Sequence, residues 1–109
     1  MAWTIESALD EDLVHVVSRD DNALRYIVRV GTLRTNIEIN LRRAKSPYVE
    51  FQRSHNIQTP LQAGPYVGSL HIADSVGAAL RSAISGITMY YQSAIDEGEL
   101  PNESWLVSS

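Results

Sequence analysis

Apolar residues recur late in the chain at Val76, Ala79, Leu80, Ala83, Ile84, Ile87, Tyr91, Ala94 and Ile95. This i, i+3, i+4, i+7 spacing lines one side of a helix and predicts one over residues 74–97. Asp74 or Ser75 suits the N-cap, Gly98 the left-handed C′ position, and Pro101 blocks continuation. Asp96 and Glu97 oppose the negative end of the helix dipole, at roughly a few tenths of a kcal/mol each. Gly77, Ala78, Ser82, Ser85 and Gly86 keep much of the helix surface small. An interior glycine costs a helix about 1 kcal/mol, so close approach is expected there, by this chain's own sheet or by a second copy across a dimer axis.

Upstream the period changes from 3.6 to 2. Leu24, Tyr26, Val28 and Val30 alternate with Arg25, Ile27 and Arg29, then Leu33, Thr35, Ile37, Ile39 and Leu41 alternate with Arg34, Asn36, Glu38, Asn40 and Arg42. Each run has one apolar and one polar face, the mark of a half-buried strand. Gly31 and Thr32 between them fit a two-residue type II′ hairpin. That turn sets Tyr26 opposite Ile37, Arg25 opposite Glu38 and Arg29 opposite Arg34. The last pair has no acid across from it, so either the two forks splay into water at the hairpin tip or they share an anion from a ligand, a partner or the acidic N-terminal segment, with an external anion favoured.

Residues 13–19 are β-branched on both faces and predict a strand inside the sheet or under cover. A turn at Lys45, Ser46 and Pro47 leads into a fourth strand over residues 48–57, with Val49 and Phe51 inward and Glu50 and Gln52 outward. Residues 58–73 carry Pro60, Gly64, Pro65 and Gly68 without a sustained period and form a long crossover. The predicted class is α+β, an antiparallel four-stranded β-meander (13–57) covered on one face by one long C-terminal helix (74–97). A short helix or arm (1–12) precedes it, and a tail (98–109) docks back through Trp105, Leu106 and Val107, all within a single domain.

A chain of 109 residues with 44% hydrophobic content supports one core. The absence of cysteine excludes disulfides, thiolate metal sites and cysteine nucleophiles. Residues 1–12 contain no base and no long apolar run, and no segment approaches a membrane span, so a soluble cytoplasmic protein is expected. Charge is segregated: residues 1–22 hold six acids and one base, residues 23–71 seven bases and two acids, residues 72–109 five acids and one base. Eight of the nine bases are Arg, whose planar fork matches phosphate and carboxylate.

The sequence holds no phosphate loop, dinucleotide fingerprint, zinc-protease motif or nucleophile elbow. His15, His55 and His71 lack local ligand spacing, so neither a metal nor another cofactor is expected. Ser54 and His55, as neighbours on a strand, should point to opposite faces rather than act as a pair. Polar side chains concentrate in residues 53–71, where Arg53, His55, Thr59, Gln62, Tyr66 and His71 are the candidate ligand-binding residues, joined by Arg29 and Arg34 at the hairpin.

These features favour a non-enzymatic protein, acting as a homodimer, that binds a nucleotide-like anionic small molecule or a partner protein. A basic sheet followed by a helix is also the layout of some single-stranded nucleic-acid binders, but few aromatics are left outside the core for base stacking. A small enzyme using the 53–71 loop is the third reading.

Overall fold

The computed structural model describes residues 3–45, 47–66 and 71–109. Ser46 of the expected turn and Gly68 of the expected crossover lie outside the described residues. The elements run α1 (Ile5–Leu9), β1 (Val14–Asp20), β2 (Arg25–Val30), β3 (Ile37–Arg43), β4 (Val49–Arg53), β5 (His55–Ile57), β6 (Ile72–Ala73), α2 (Val76–Asp96), a 3₁₀ turn (Glu103–Trp105) and β7 (Leu106–Ser108). Strands β1-β2-β3-β4-β6, in that order, form a five-stranded antiparallel sheet, and β5 and β7 form a second, two-stranded one. The architecture is α+β, with α2 packed on β3, β4, β5 and β6.

The apolar stripe of α2 is core: Ala79, Leu80, Ala83, Ile84, Ile87, Tyr91 and Ala94 are buried against Tyr26, Val28, Ile37, Ile39, Val49 and Phe51. Ser75 caps the start by accepting from the Ala78 N–H at 3.1 Å. At the end, Gly98 has φ +86°, the Glu99 N–H bonds Ala94 O at 3.0 Å, and the Gly98 N–H bonds Ile95 O at 3.0 Å. These two bonds are a Schellman closure, which satisfies carbonyls that the acidic last turn cannot. Two of the small residues face this chain itself. A methyl on Gly77 would meet Trp3 O at 2.1 Å, and one on Gly86 would meet Arg53 Nη1 at 2.6 Å. At these two positions close approach serves packing within one chain.

The hairpin register differs from the sequence expectation by two residues. Tyr26 pairs with Ile39 and Val28 with Ile37, while Arg25 pairs with Asn40. The tight turn is present, since the Leu33 N–H bonds Val30 O at 3.0 Å and Gly31 has φ +57°. The ladder does not continue from it, because other partners hold the outgoing residues. Tyr91 Oη accepts from the Thr32 N–H at 3.2 Å, and the Glu103 carboxylate collects the N–H groups of Arg34 and Thr35 and the Thr35 hydroxyl at 2.8–3.0 Å. A slip of two preserves which face is buried, so the apolar assignments of Tyr26, Val28, Ile37 and Ile39 survive. Leu24 leaves the strand with φ +54°. Arg25 and Glu38 still pair, diagonally, at 3.1 Å.

Two strand readings are corrected. Strand β1 is an edge, not a covered strand: Val16 is 46% and Val17 47% exposed, because β1 ends the sheet while α2 packs on β3 to β6, and a bulge falls between Val16 and Ser18. The expected fourth strand breaks at Ser54. The Ser54 N–H bonds Glu38 O on β3 at 2.8 Å, while Ser54 O accepts from the Ser109 N–H at 3.1 Å. In place of that carbonyl, Ser54 Oγ accepts from the Glu38 N–H at 2.8 Å. One residue thereby hands the chain from the large sheet to the small one.

Candidate functional site

Period two carries β4 through Val49 and Phe51 and puts Arg53 at the next inward position. A cation therefore sits at a core site, 8% exposed, beneath α2. Its Nη1 donates to Ala83 O at 3.1 Å and its Nη2 to Asn56 Oδ1 at 3.2 Å. The guanidinium lies 5.7 Å from the centroid of the Phe51 ring, within cation–π range. Nε is buried without a hydrogen-bond partner among the described residues. Burial holds the Arg53 pKa below its ordinary value, with Tyr66 acting in the opposite sense.

The four ion pairs among the described residues join Arg19 to Glu6 and Asp21, Arg25 to Glu38, and Arg42 to Glu50. No carboxylate pairs with Arg53 there. Desolvating an ionised group is costly unless countercharge or hydrogen bonds offset it, and here the offset is two neutral acceptors and a ring face. Arg53 lines a cavity of about 530 Å³ with Phe51, Gln52, Asn56, His71 and Ser109. The His71 ring leans on Phe51 with centroids 5.2 Å apart, and Ser109 Oγ donates to Arg53 O at 2.6 Å.

The structure separates the residues read as candidates. Arg53 and His71 share the cavity wall. Tyr66 lies near Arg53 and stacks on Tyr90, centroids 4.6 Å apart. Thr59 and Gln62 secure the crossover instead: Gln62 Oε1 accepts from the Thr59 N–H at 2.8 Å, its Nε2 donates to Ile57 O at 3.1 Å, and Thr59 is buried. Arg29 donates to Asn36 Oδ1 at 2.7 Å on the outer face, and Arg34 lies on the loop held by Glu103. The like-charge pair at a hairpin tip therefore does not form. The carboxylate beside that loop is Glu103, received mainly by backbone N–H groups.

His55 requires a further correction. Its Nδ1 lies 2.8 Å from Ser54 Oγ, because the break at Ser54 suspends the alternation of neighbouring side chains. Ser54 Oγ is already an acceptor for the Glu38 N–H, which makes it a peg in the sheet junction. Among the described residues no group of three or more His, Asp or Glu side chains converges as a metal site, and no helix is long and apolar enough to cross a membrane.

Phe51, Asn56, Ala83, Gly86 and Ser109 complete the surroundings of Arg53. The one local signal for this cluster is the phase of Arg53, a cation where the alternation calls for a core residue. No protein-family model, no curated protein and no solved structure matches this chain.

Proposed function

We propose that the chain is a non-enzymatic binding protein for a small anionic molecule, nucleotide-like ligands included, received in the cavity over Arg53. One observation carries this reading: Arg53, a cation 8% exposed and without a carboxylate partner among the described residues, lines a cavity of about 530 Å³. A permanently charged group held there at a desolvation cost is a ready counterion for a ligand. The test is calorimetry and thermal unfolding with AMP and inorganic phosphate. A ligand at ten times its Kd should add about 1.4 kcal/mol to stability, which for a domain of this size raises Tm by roughly 5–10 °C. The gain should vanish in Arg53→Gln. An equal gain in wild type and variant would remove the site.

A single-stranded oligonucleotide in the same assay tests the nucleic-acid alternative, and tighter, strongly salt-dependent binding would replace this reading. Homodimerisation is supported by the open edge of β1, with Val16 and Val17 about half exposed. Light scattering should then give twice 12.1 kDa, and a monomer would remove the dimer.

A further inference from the structure

Building on the Arg53 reading, we propose that within the anionic class the site prefers a monoanion, a carboxylate on a small and partly apolar body, over a phosphate ester or a polyphosphate. Charge counting leads there. Among the described residues Arg53 is the one Lys or Arg on the cavity wall; Gln52, Asn56 and Ser109 are neutral and Phe51 is apolar. The sequence has no Lys or Arg between Arg53 and Arg81, so the crossover brings no second permanent cation. On β3, Arg42 is paired with Glu50. In a partly desolvated cavity each further negative charge would lack a counterion, and uncompensated buried charge is strongly disfavoured.

Shape agrees with charge. Ala83 O and Asn56 Oδ1 pin the guanidinium through both terminal nitrogens, so its plane is set before a ligand arrives. A planar fork held in place complements a planar carboxylate. Phe51 and the His71 ring leaning on it offer an aromatic wall for the rest of the molecule. The cavity, about 530 Å³, has the size of sites that hold organic molecules rather than bare ions. Gly86 is the positioning residue: it leaves open the space against α2 that Nη1 of Arg53 fills.

The test is titration calorimetry of the full chain with benzoate, phenyl phosphate and ATP at pH 8, above the ordinary imidazole range and above the second ionisation of a phosphate ester. Benzoate should bind at least about tenfold more tightly than phenyl phosphate, a difference of about 1.4 kcal/mol, with ATP weaker still and all binding lost in Arg53→Gln. Arg53-dependent binding of phenyl phosphate or ATP that is tighter than benzoate would overturn the monoanion assignment and leave the anion-binding reading standing. No binding to wild type, or equal binding to Arg53→Gln, would overturn both. Should Arg53→Gln not fold, Gly86→Ala keeps every charge while its methyl forces the guanidinium off Ala83 O. A loss of about tenfold in benzoate affinity is expected, and an unchanged affinity would overturn the proposal.

Discussion

Gly31 and Gly86 each leave room for a side chain from a distant part of the chain, with different consequences when the room is filled. At Gly31 the positive φ already disfavours an L residue, and an added methyl would fall 2.2 Å from Tyr91 Oη. Tyr91 is buried and bonded to the neighbouring Thr32 N–H, so it has nowhere to go. Gly31→Ala should lower stability by about 2–4 kcal/mol in urea unfolding, the sum of backbone strain and overpacking. At Gly86 the obstacle is the far end of a flexible Arg, and the helix itself gains up to about 1 kcal/mol from alanine. Gly86→Ala should change stability by less than about 1 kcal/mol while disturbing the cavity. Arg53 shows why this site was only partly legible. Its phase along β4 is readable, but a charge at a core position looks like a surface residue until its partners, Ala83 O and Asn56, are placed.

Glu103 is the second such residue. The Arg34 N–H, then the Thr35 hydroxyl, hold its pKa below the ordinary 4.5. A carboxyl with a lowered folded-state pKa contributes stability that is present above its unfolded value and is lost as pH falls through the folded one. Unfolding free energy should therefore decline on acidification below pH 4.5, and Glu103→Gln should flatten that limb. Wild-type and variant curves of the same slope would refute the assignment. Nothing local announced this contact, which spans 69 residues.

Among the elements, α2 was the most legible because one-sided burial writes a 3.6-residue period into the sequence. Leu80→Ala and Ile84→Ala, at positions 0% and 2% exposed, should each cost roughly 2–5 kcal/mol in equilibrium unfolding. The facing of β2 and β3 was legible for the same reason with period two. Their register was not, because it is set by Tyr91 and Glu103 rather than by the turn. The break between β4 and β5 was hidden as well: the alternation continues through Phe51 and Arg53, and a serine hydroxyl replacing a backbone carbonyl leaves no periodic trace. Ser54→Ala should cost about 1–3 kcal/mol by leaving the Glu38 N–H without its acceptor. A cost below about 0.5 kcal/mol, within the range of ordinary surface changes, would mean that the hydroxyl is not the junction.

Across the whole molecule the segregated charge is reconciled locally rather than by one large acidic-to-basic interface. Arg19 gathers Glu6 from α1 and Asp21 from the following turn, at 2.7 and 2.8 Å. Arg25 and Arg42 find acids within the sheet, and Glu103 reaches back to the Arg34 loop. Buried at the level of the core, Arg53 belongs to none of these pairs. The net charge of −4 therefore gives no guide to the charge at the cavity that Arg53 lines.

The junction at Ser54 also dictates a sequence of events in time. Strands β1, β2 and β3 each pair with their immediate successor along the chain, and such local pairings form early. The cavity wall instead joins Arg53 to Ser109, 56 residues away, and β5 has no ladder until β7 arrives. During synthesis the large sheet can assemble while the wall of the Arg53 cavity is still missing Ser109. In hydrogen exchange the Ser109 amide, bonded to Ser54 O, and the Gln58 amide, bonded to Trp105 O, should open well before those of β2 and β3. A chain stopped after Trp105 should keep the circular dichroism of α2 yet lack Ser109 from the cavity wall, so if the proposed anion binding holds, it should show no binding isotherm.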